Sequence, residues 1–202
     1  MNEMPSSTEV ASHVELPPGP WHTVLAFLCE RFPTVPEETW RSRLQRGRVT
    51  DAAGRTICAD QAYQSGLRLR YYRELAFEIP IPFQANILHR DDHLLVVDKP
   101  HFLPVTPSGR FVRECLLARL RHELGLNTLV PLHRIDRETA GLVLFSLDPR
   151  TRGDYQRLFA ERRIHKTYEA IAPSLPRQDF PLTYRSNLAR GEPFYCTREV
   201  PG

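Results

Sequence analysis

The spacing of apolar residues predicts two helices and then short strands in the first part of the chain. Apolar positions three or four residues apart, typical of one helix face, are Trp21, Val24, Leu25, Leu28 and Phe32. Pro36 and the two acids after it predict the start of a second helix, which should end near Gly47. A hairpin turning at residues 51–54 is predicted by "RVTDAAGRTIC", and another strand by "GLRLRYYRE".

The remaining chain alternates short apolar runs with helical patterns. A strand–turn–strand unit is predicted by "ILHRDDHLLVVDKP", and a helix over residues 110–124 should be closed by Gly125. Further strands are predicted near "LVPLHRID", at "GLVLFSL" and at "HKTYEAIAP", with a helix over residues 150–162 before the last of them. Hairpins mixed with helical crossings predict an α+β fold, with a mixed, mainly antiparallel sheet and flanking helices.

The same patterns divide the chain into three predicted parts. Residues 1–20, which end in "LPPGP", predict a flexible leader. Residues 21–75 predict a small module of helices and strands. Residues 76–202 predict a larger domain that begins with the linker "FEIPIPFQ".

The composition of the 202 residues narrows the class of protein. The chain is 41% hydrophobic and 25% charged, as in globular proteins. Its four cysteines are far apart, which argues against a zinc site or a disulfide framework and fits a reducing compartment. The apolar runs are too short to span a bilayer, and the first residues lack the pattern of a signal peptide. We therefore expect a cytoplasmic protein with no membrane or metal partner.

Arginine accounts for 25 of the 27 basic residues. Its guanidinium group suits phosphate recognition and base stacking, although a GC-rich genome would also raise the arginine content. Eight arginines lie between Arg41 and Arg73, against two acids. A basic helix end and turn can follow a phosphate backbone, and a solvated basic face is the alternative. The candidate RNA contacts in this stretch are Arg41, Arg43, Arg46 and Arg48.

An aspartate occupies an unusual position in "HRIDRETAGLVLFS", at residues 133–146. Asp136 lies between Arg134 and Arg137, just before a predicted buried strand. A carboxylate beside guanidinium groups is expected to stay ionised, which suits a nucleophile or charge stabiliser better than a general acid. An ordinary ion pair in a loop is the alternative interpretation.

This segment resembles the signature of the RluA-type pseudouridine synthases, which reads His-Arg-Leu-Asp-Arg-x-Thr-Ser/Ala-Gly before an apolar strand. Ile135 replaces the usual leucine. The upstream segment "ILHRDDHLLVVDKPHFLPVTPSG" and the downstream segment "IHKTYEAIAP" are similar to two further motifs of the family, in the family's order. The module at residues 21–75 resembles a degenerate S4-type RNA-binding module.

The resemblance implies roles for individual residues. Asp136 matches the catalytic aspartate, which helps break the N1–C1′ bond of uridine and allows rebonding at C5; whether it attacks the sugar or the base stays open. Arg134 would fill the gap that a flipped uridine leaves in the RNA, and Tyr168 would pack on the target base. Arg137 is expected to be structural or to face phosphate. Lys166 is expected to meet phosphate or only to solvate a strand edge.

Other features follow from the same resemblance. The reaction is an isomerisation and needs no metal or organic cofactor. The expected partner is a structured RNA, either rRNA or tRNA, and the full-length protein is expected to be a monomer. His133 is interpreted as a hydrogen-bonded orienting residue, and Lys99 as a support for the fold near the site.

The chain departs from the family in one respect. The late Gly-Arg-x-His-Gln-Ile-Arg-type motif, which supplies a basic partner for the catalytic aspartate, is absent from the 202 residues. We therefore expect a fragment or a truncated paralogue whose isolated activity is in doubt and whose sheet exposes an unpaired edge. A non-catalytic RNA-binding protein that retains the scaffold is the alternative function.

Overall fold

The computed structural model describes residues 9–75, 77–173, 179–192 and 196–201. The chain divides into two compact units, Met1–Ile164 and His165–Gly202. All paired strands in the described residues are antiparallel. With four helices among them, the predicted α+β class is confirmed. Within these residues, no helix is both long enough and apolar enough to cross a membrane.

The first unit begins with a small sheet covered by two helices. Its elements are β1 (Ser12–Glu15), α1 (Val24–Arg31), α2 (Glu37–Gln45), β2 (Val49–Asp51) and β3 (Arg68–Tyr71). The strand order is β1-β3-β2. Thr23 caps α1 by accepting a hydrogen bond from the amide of Ala26. Leu28, Trp40 and Leu69 share one hydrophobic cluster, which joins both helices to the sheet.

The first strand corrects the prediction of a flexible leader over residues 1–20. The prediction is wrong for residues 12–16, because Ser12–Glu15 pairs with β3 and Leu16 is buried. An alternating strand of only four residues gives a weak sequence signal, and the prolines after it suggested a loop. Assignment of residues 21–75 to an S4-like module, and of residues 76–202 to a catalytic domain, stays a prediction.

A second sheet follows in the same unit. Its elements are β4 (Asn86–Arg90), β5 (Leu94–Lys99), α3 (Leu116–Leu124), β6 (Val130–Pro131), β7 (Gly141–Ser146) and α4 (Arg152–Ala160). The strand order is β4-β5-β7-β6, so β5 and β7 form the centre. Leu95 pairs with Phe145, and Val97 pairs with Val143. These four side chains are buried in one hydrophobic cluster with Leu116 and other residues of α3.

Helix α3 starts six residues later than the sequence predicts, at Leu116 instead of residue 110. The free amides of its first turn donate to loop carbonyls, Leu116 to Pro104 and Leu117 to Val105. Cys115, the N-cap, has extended backbone angles. The predicted glycine end is confirmed, since Gly125 has the left-handed conformation with φ 67°.

The predicted linker around "FEIPIPFQ" is anchored on the segment before α3. The carboxylate of Glu78 is buried and accepts hydrogen bonds from the amides of Val112, Arg113 and Glu114. Burial alone would raise the pKa of Glu78, but these hydrogen bonds together hold it below its usual value. Arg119 of α3 donates to the carbonyls of Ile81 and Phe83. The backbone at this point is therefore fixed rather than free.

The described residues of the second unit include a hairpin, formed by β8 (Asn187–Arg190) and β9 (Thr197–Val200). Tyr184 donates a hydrogen bond to Glu199 of β9 over 2.8 Å. The predicted strand at "HKTYEAIAP" is wrong for this chain, because residues 165–173 form neither a helix nor a strand. A strand forms only when its backbone pairs with a neighbour, and these residues pair with none of the described strands.

Candidate active site

Asp136 lies in the loop between β6 and β7. Its carbonyl accepts a hydrogen bond from the amide of Thr139 over 3.1 Å, which closes a turn with Arg137 and Glu138 at its centre. The Asp136 side chain is exposed. The sequence signature therefore places its carboxylate on a tight turn at the surface, immediately before a buried central strand.

Lys99 fixes the far side of this turn. The side chain is fully buried at the end of β5, and its ammonium donates to the carbonyls of Pro100, Leu103 and Arg137 over 3.0, 2.8 and 3.2 Å. Burial lowers the pKa of Lys99, while the negative charges of Glu138 and Asp136 oppose that shift. Lys99 thus holds the loop through its hydrogen bond to the carbonyl of Arg137 and interacts electrostatically with Asp136. Its interpretation as a support for the fold near the site is confirmed.

His133 fixes the near side of the loop. Its Nε2 accepts a hydrogen bond from the amide of Leu144 in β7 over 3.2 Å, and its ring stacks on Phe159 of α4 with centroids 4.9 Å apart. A ring nitrogen that accepts from an amide carries no proton. The prediction that His133 is hydrogen-bonded is confirmed, and its orienting role stays a prediction. His101 adds a third restraint, because its Nδ1 donates to the carbonyl of Glu138 over 2.6 Å.

The backbone conformation at residue 141 explains why the signature has a glycine there. Its φ is 120°, a conformation that side chains disfavour, at the point where the loop enters β7 opposite Lys99. The space where a Cβ would project is open. The requirement for glycine here is therefore conformational rather than steric.

Asp136 lines an open cleft of about 650 Å³. One wall is the loop at residues 134–137, and the facing walls are residues 104–106 and 108–111. Ser108 and Phe111 exchange two backbone hydrogen bonds of 2.9 Å, so Gly109 and Arg110 form the tip of a tight turn. Arg73 donates to the carbonyl of Gly109 over 2.9 Å and holds this turn in place.

The two arginines beside Asp136 have different surroundings. Arg137 is ion-paired with Glu138 over 2.6 Å and lies 5.7 Å from the centroid of Phe111. The Arg137 guanidinium lowers the pKa of Glu138. Arg134 is exposed, and its side chain has no ion pair within the described part of the chain. Arg134 therefore presents an uncompensated charge two residues before Asp136, whereas Arg137 has a structural role compatible with its prediction.

The downstream candidates belong to the second unit. Tyr168 is 62% exposed, and Lys166 is also exposed. Both lie in the segment that lacks the predicted strand. Asp136, Arg134 and Arg137 share one cleft of the first unit, while the roles of Tyr168 and Lys166 stay predictions.

Two arginines of the basic stretch in the first part of the chain are buried. Arg43 and Arg48 are only 6% exposed, which argues against contact with RNA, and their RNA-binding role stays a prediction. Arg43 packs 4.9 Å from the Trp40 ring centroid, and burial lowers its pKa. Arg48 is ion-paired with Glu9.

The other two candidates of this stretch are closer to the surface but are already paired. Arg41 contacts Glu37 over 2.6 Å, and Arg46 forms a two-pronged pair with Glu74 over 2.6 and 2.7 Å. Their partners, like Glu9, lie outside the 41–73 window in which acids are scarce. For this reason the local charge count overestimates the free positive charge, and phosphate binding by Arg41 and Arg46 stays a prediction.

Sequence reasoning did not identify Phe111 as a residue that lines the cleft, nor His101 and Arg73 as residues that hold the segments around it. Phe111 falls within the helix predicted over residues 110–124, and Arg73 is the last residue of the basic stretch that begins at Arg41. Only His101 carried a signal, its position directly after the Lys99-Pro100 pair. Arg73 is joined to the cleft wall by its hydrogen bond to Gly109, 36 positions away in the chain, and Phe111 faces the Asp136 loop through its contact with Arg137.

Comparison with known proteins identifies the family of the chain. The family described as RNA pseudouridylate synthase matches residues 93–196, which include Lys99, His133 and Asp136. Because the match covers half of the chain, the protein belongs to this family, and the resemblance found in the sequence is confirmed at that level.

The chain is similar to several curated members. An uncharacterized RNA pseudouridine synthase of Synechocystis is 32% identical over 148 residues, 73% of this chain and 50% of that protein. The tRNA pseudouridine synthase C of Vibrio parahaemolyticus is 30% identical over 105 residues, 51% of this chain and 42% of that protein. The human mitochondrial pseudouridylate synthase RPUSD4 is 35% identical over 97 residues, 45% and 26% of the two chains. The chain thus spans half or less of these relatives' length.

Proposed function

We propose that the full-length protein isomerises uridine to pseudouridine in RNA, with Asp136 as the catalytic residue. The observation that carries this proposal is the setting of Asp136: an exposed carboxylate at an open cleft, on a turn held by Lys99 on one side and by His133 on the other. Catalysis requires such fixed orientation of the reacting group. A loop carboxylate that served only in an ion pair would not need the separate restraints from Lys99, His133 and His101.

The chemistry assigns each group a part. The N1–C1′ bond of uridine breaks, the base turns, and a C5–C1′ bond forms; C5 loses a proton to solvent and N1 gains one, so the reaction needs no oxidant or reductant. The target base must leave the RNA stack to reach Asp136. In this proposal Arg134, which has no ion pair within the described residues, occupies the space that the base vacates. The family resemblance implies that Tyr168 packs against the flipped base.

The substrate in this proposal is a structured RNA, either rRNA or tRNA. The similarity to a protein named tRNA pseudouridine synthase C supports a tRNA, while other similar proteins are named only for RNA. A cytoplasmic location and a monomeric state of the full-length protein are part of the same proposal, with no cofactor.

Release of tritium tests the activity directly. Full-length protein is incubated with bulk cellular RNA labelled with tritium at C5 of uridine, and with RNA labelled at C5 of cytidine as the control. We expect tritium release from the uridine-labelled RNA alone, because only formation of the C5–C1′ bond removes that atom. RNA that is bound without release of tritium would support the non-catalytic alternative instead.

A further inference from the structure

A second cleft of about 760 Å³ adjoins the active-site cleft within the first unit. It lies between the paired strands β1 and β3 on one side and Val130, Pro131 and Arg134 on the other. We call it the module groove. Thr106 and Arg134 line both clefts, so the two are continuous.

Positive charge dominates the module groove. Four arginines line it, against one acid, Glu9. Glu9 is ion-paired with Arg48 and so contributes little free negative charge. The four arginines are Arg70, Arg73, Arg121 and Arg134.

No carboxylate within the described residues is ion-paired with any of these four arginines. Arg73 donates to the carbonyl of Gly109, and Arg121 donates to the carbonyl of Leu129. Carbonyls orient the two guanidinium groups but leave their charge uncompensated. Arg70 is exposed on β3, where it faces His13 across the strand pair, and its positive charge helps lower the pKa of His13 after the larger effect of burial.

We propose that the module groove binds the backbone phosphates of the RNA strand that flanks the target uridine. This inference rests on the proposed function, because the groove leads to Arg134, two residues before Asp136. Uncompensated arginines gain affinity for RNA by releasing its condensed counterions, and a guanidinium fork matches a phosphate group. In this proposal the arginines of the module groove, rather than the buried Arg43 and Arg48, make the electrostatic contacts with RNA.

Strand β3 offers a matched pair of residues for the test. Arg68 and Arg70 are two positions apart, so they lie on the same face of the strand, and both are exposed. Arg68 is ion-paired with Glu15 over 2.9 Å and does not line the groove. Arg70 lines the groove and has no carboxylate partner among the described residues.

The experiment measures binding of a fluorescein-labelled, uridine-rich RNA hairpin to full-length protein at a series of salt concentrations. We expect Arg70→Gln to weaken binding several-fold and to reduce the salt slope of log K by about 0.7–0.9, the loss of one phosphate contact. Arg68→Gln should leave the affinity and the slope near wild type, and Arg70→Lys should restore most of the slope. Thermal melting of each variant verifies that the fold is retained.

Two outcomes would overturn the inference: equal salt slopes for wild type and Arg70→Gln, or an equal loss of affinity in Arg68→Gln and Arg70→Gln. Tritium release measured on the same preparations separates the two proposals. If the wild-type protein releases tritium and Arg70→Gln binds RNA as tightly as wild type, the proposal for the module groove fails and the proposed reaction stands. If the salt slope depends on Arg70 but the protein releases no tritium, the proposal for the module groove stands and the proposed reaction fails.

Discussion

The ammonium of Lys99 donates a hydrogen bond to the carbonyl of Arg137 over 3.2 Å, and this contact joins the end of β5 to the turn that follows Asp136. The two residues are 38 positions apart in the chain. Because Lys99 is fully buried, the contact is shielded from water, and two further carbonyls share the same ammonium. The position of the Asp136 turn is therefore built into the core of the second sheet.

Replacement of Lys99 by methionine should loosen the Asp136 turn. The substitution keeps the apolar stem but leaves three carbonyls without their donor, so we expect the free energy of unfolding to fall by about 2–4 kcal/mol. Pseudouridine formation should slow more than RNA binding weakens. Chemical denaturation and single-turnover tritium release measure the two effects.

Lys166→Met is the control for stability, because Lys166 is the other lysine of the chain and is exposed. It should change the free energy of unfolding by less than about 0.5 kcal/mol. A Lys99→Met protein as stable as Lys166→Met would show that the buried ammonium does not hold the turn.

Substitution of His133 by leucine should affect orientation without removing a proton-transfer group. The leucine loses the hydrogen bond from Leu144 and the stack on Phe159, which should cost about 1–3 kcal/mol of stability. We expect slower turnover with an unchanged shape of the pH–rate profile. His122→Leu, on the exposed side of α3, is the control. Loss of one limb of the profile in His133→Leu would instead make His133 an acid or base.

The ionised carboxylate of Asp91 makes the stability of the second sheet depend on pH in the acid range. Its carboxylate contacts His89, and accepts hydrogen bonds from the amides of Leu94 and His93, which lowers its pKa to about 2. An unfolded aspartate has a pKa of about 3.9. The stabilising contribution is therefore complete above about pH 4 and is lost as the pH falls through about 2.

Melting temperatures between pH 7 and pH 2 test this dependence. Asp91→Asn should be less stable than wild type at pH 7, and the difference should shrink toward pH 2, where the wild-type carboxylate is protonated. Asp148, whose pKa is also about 2 owing to Arg150, remains in both proteins and serves as an internal reference. A difference that stays constant over the whole pH range would rule out the ionised form of Asp91 as the cause.

Sequence periodicity predicts the parts of the fold that have strong local signals. The strand–turn–strand unit at β4 and β5 forms as expected, because apolar runs flank a polar turn that Asp91 stabilises. Helix α1 follows from the spacing of its apolar residues, and α2 follows from Pro36 and the two acids after it. The glycine end of α3 is equally local.

Features that depend on distant partners could not be predicted in the same way. The late start of α3 results from carbonyls of Pro104 and Val105 and from the carboxylate of Glu78, none of which lies in the helix. Burial of Arg43 and Arg48 likewise depends on tertiary packing. The predicted strand around Tyr168 has the right composition, but composition alone does not supply a pairing partner.

The sequence predicts the motif that contains the candidate site, but it does not predict the contacts that position the site residues. The "HRIDRETAG" segment identified Asp136, and the sequence analysis also predicted supporting roles for Lys99 and His133. The bonds that make them supports, to Arg137 and Leu144, become visible only in the folded chain. The module groove joins residues from both ends of the first unit, so no local segment of sequence reveals it.

The most direct test of the central claim compares Asp136→Asn with Glu138→Gln in the full-length protein. Both substitutions remove one carboxylate from the same exposed turn, and Glu138 serves as the matched control because its side chain pairs with Arg137. The measurement is single-turnover tritium release from C5-labelled uridine RNA at saturating protein, with the Kd for the same RNA. We predict that Asp136→Asn lowers the rate by about 10⁴-fold or more and leaves Kd nearly unchanged, while Glu138→Gln stays near wild type. A rate for Asp136→Asn within about tenfold of the Glu138→Gln rate would contradict the assignment of Asp136 as the catalytic residue.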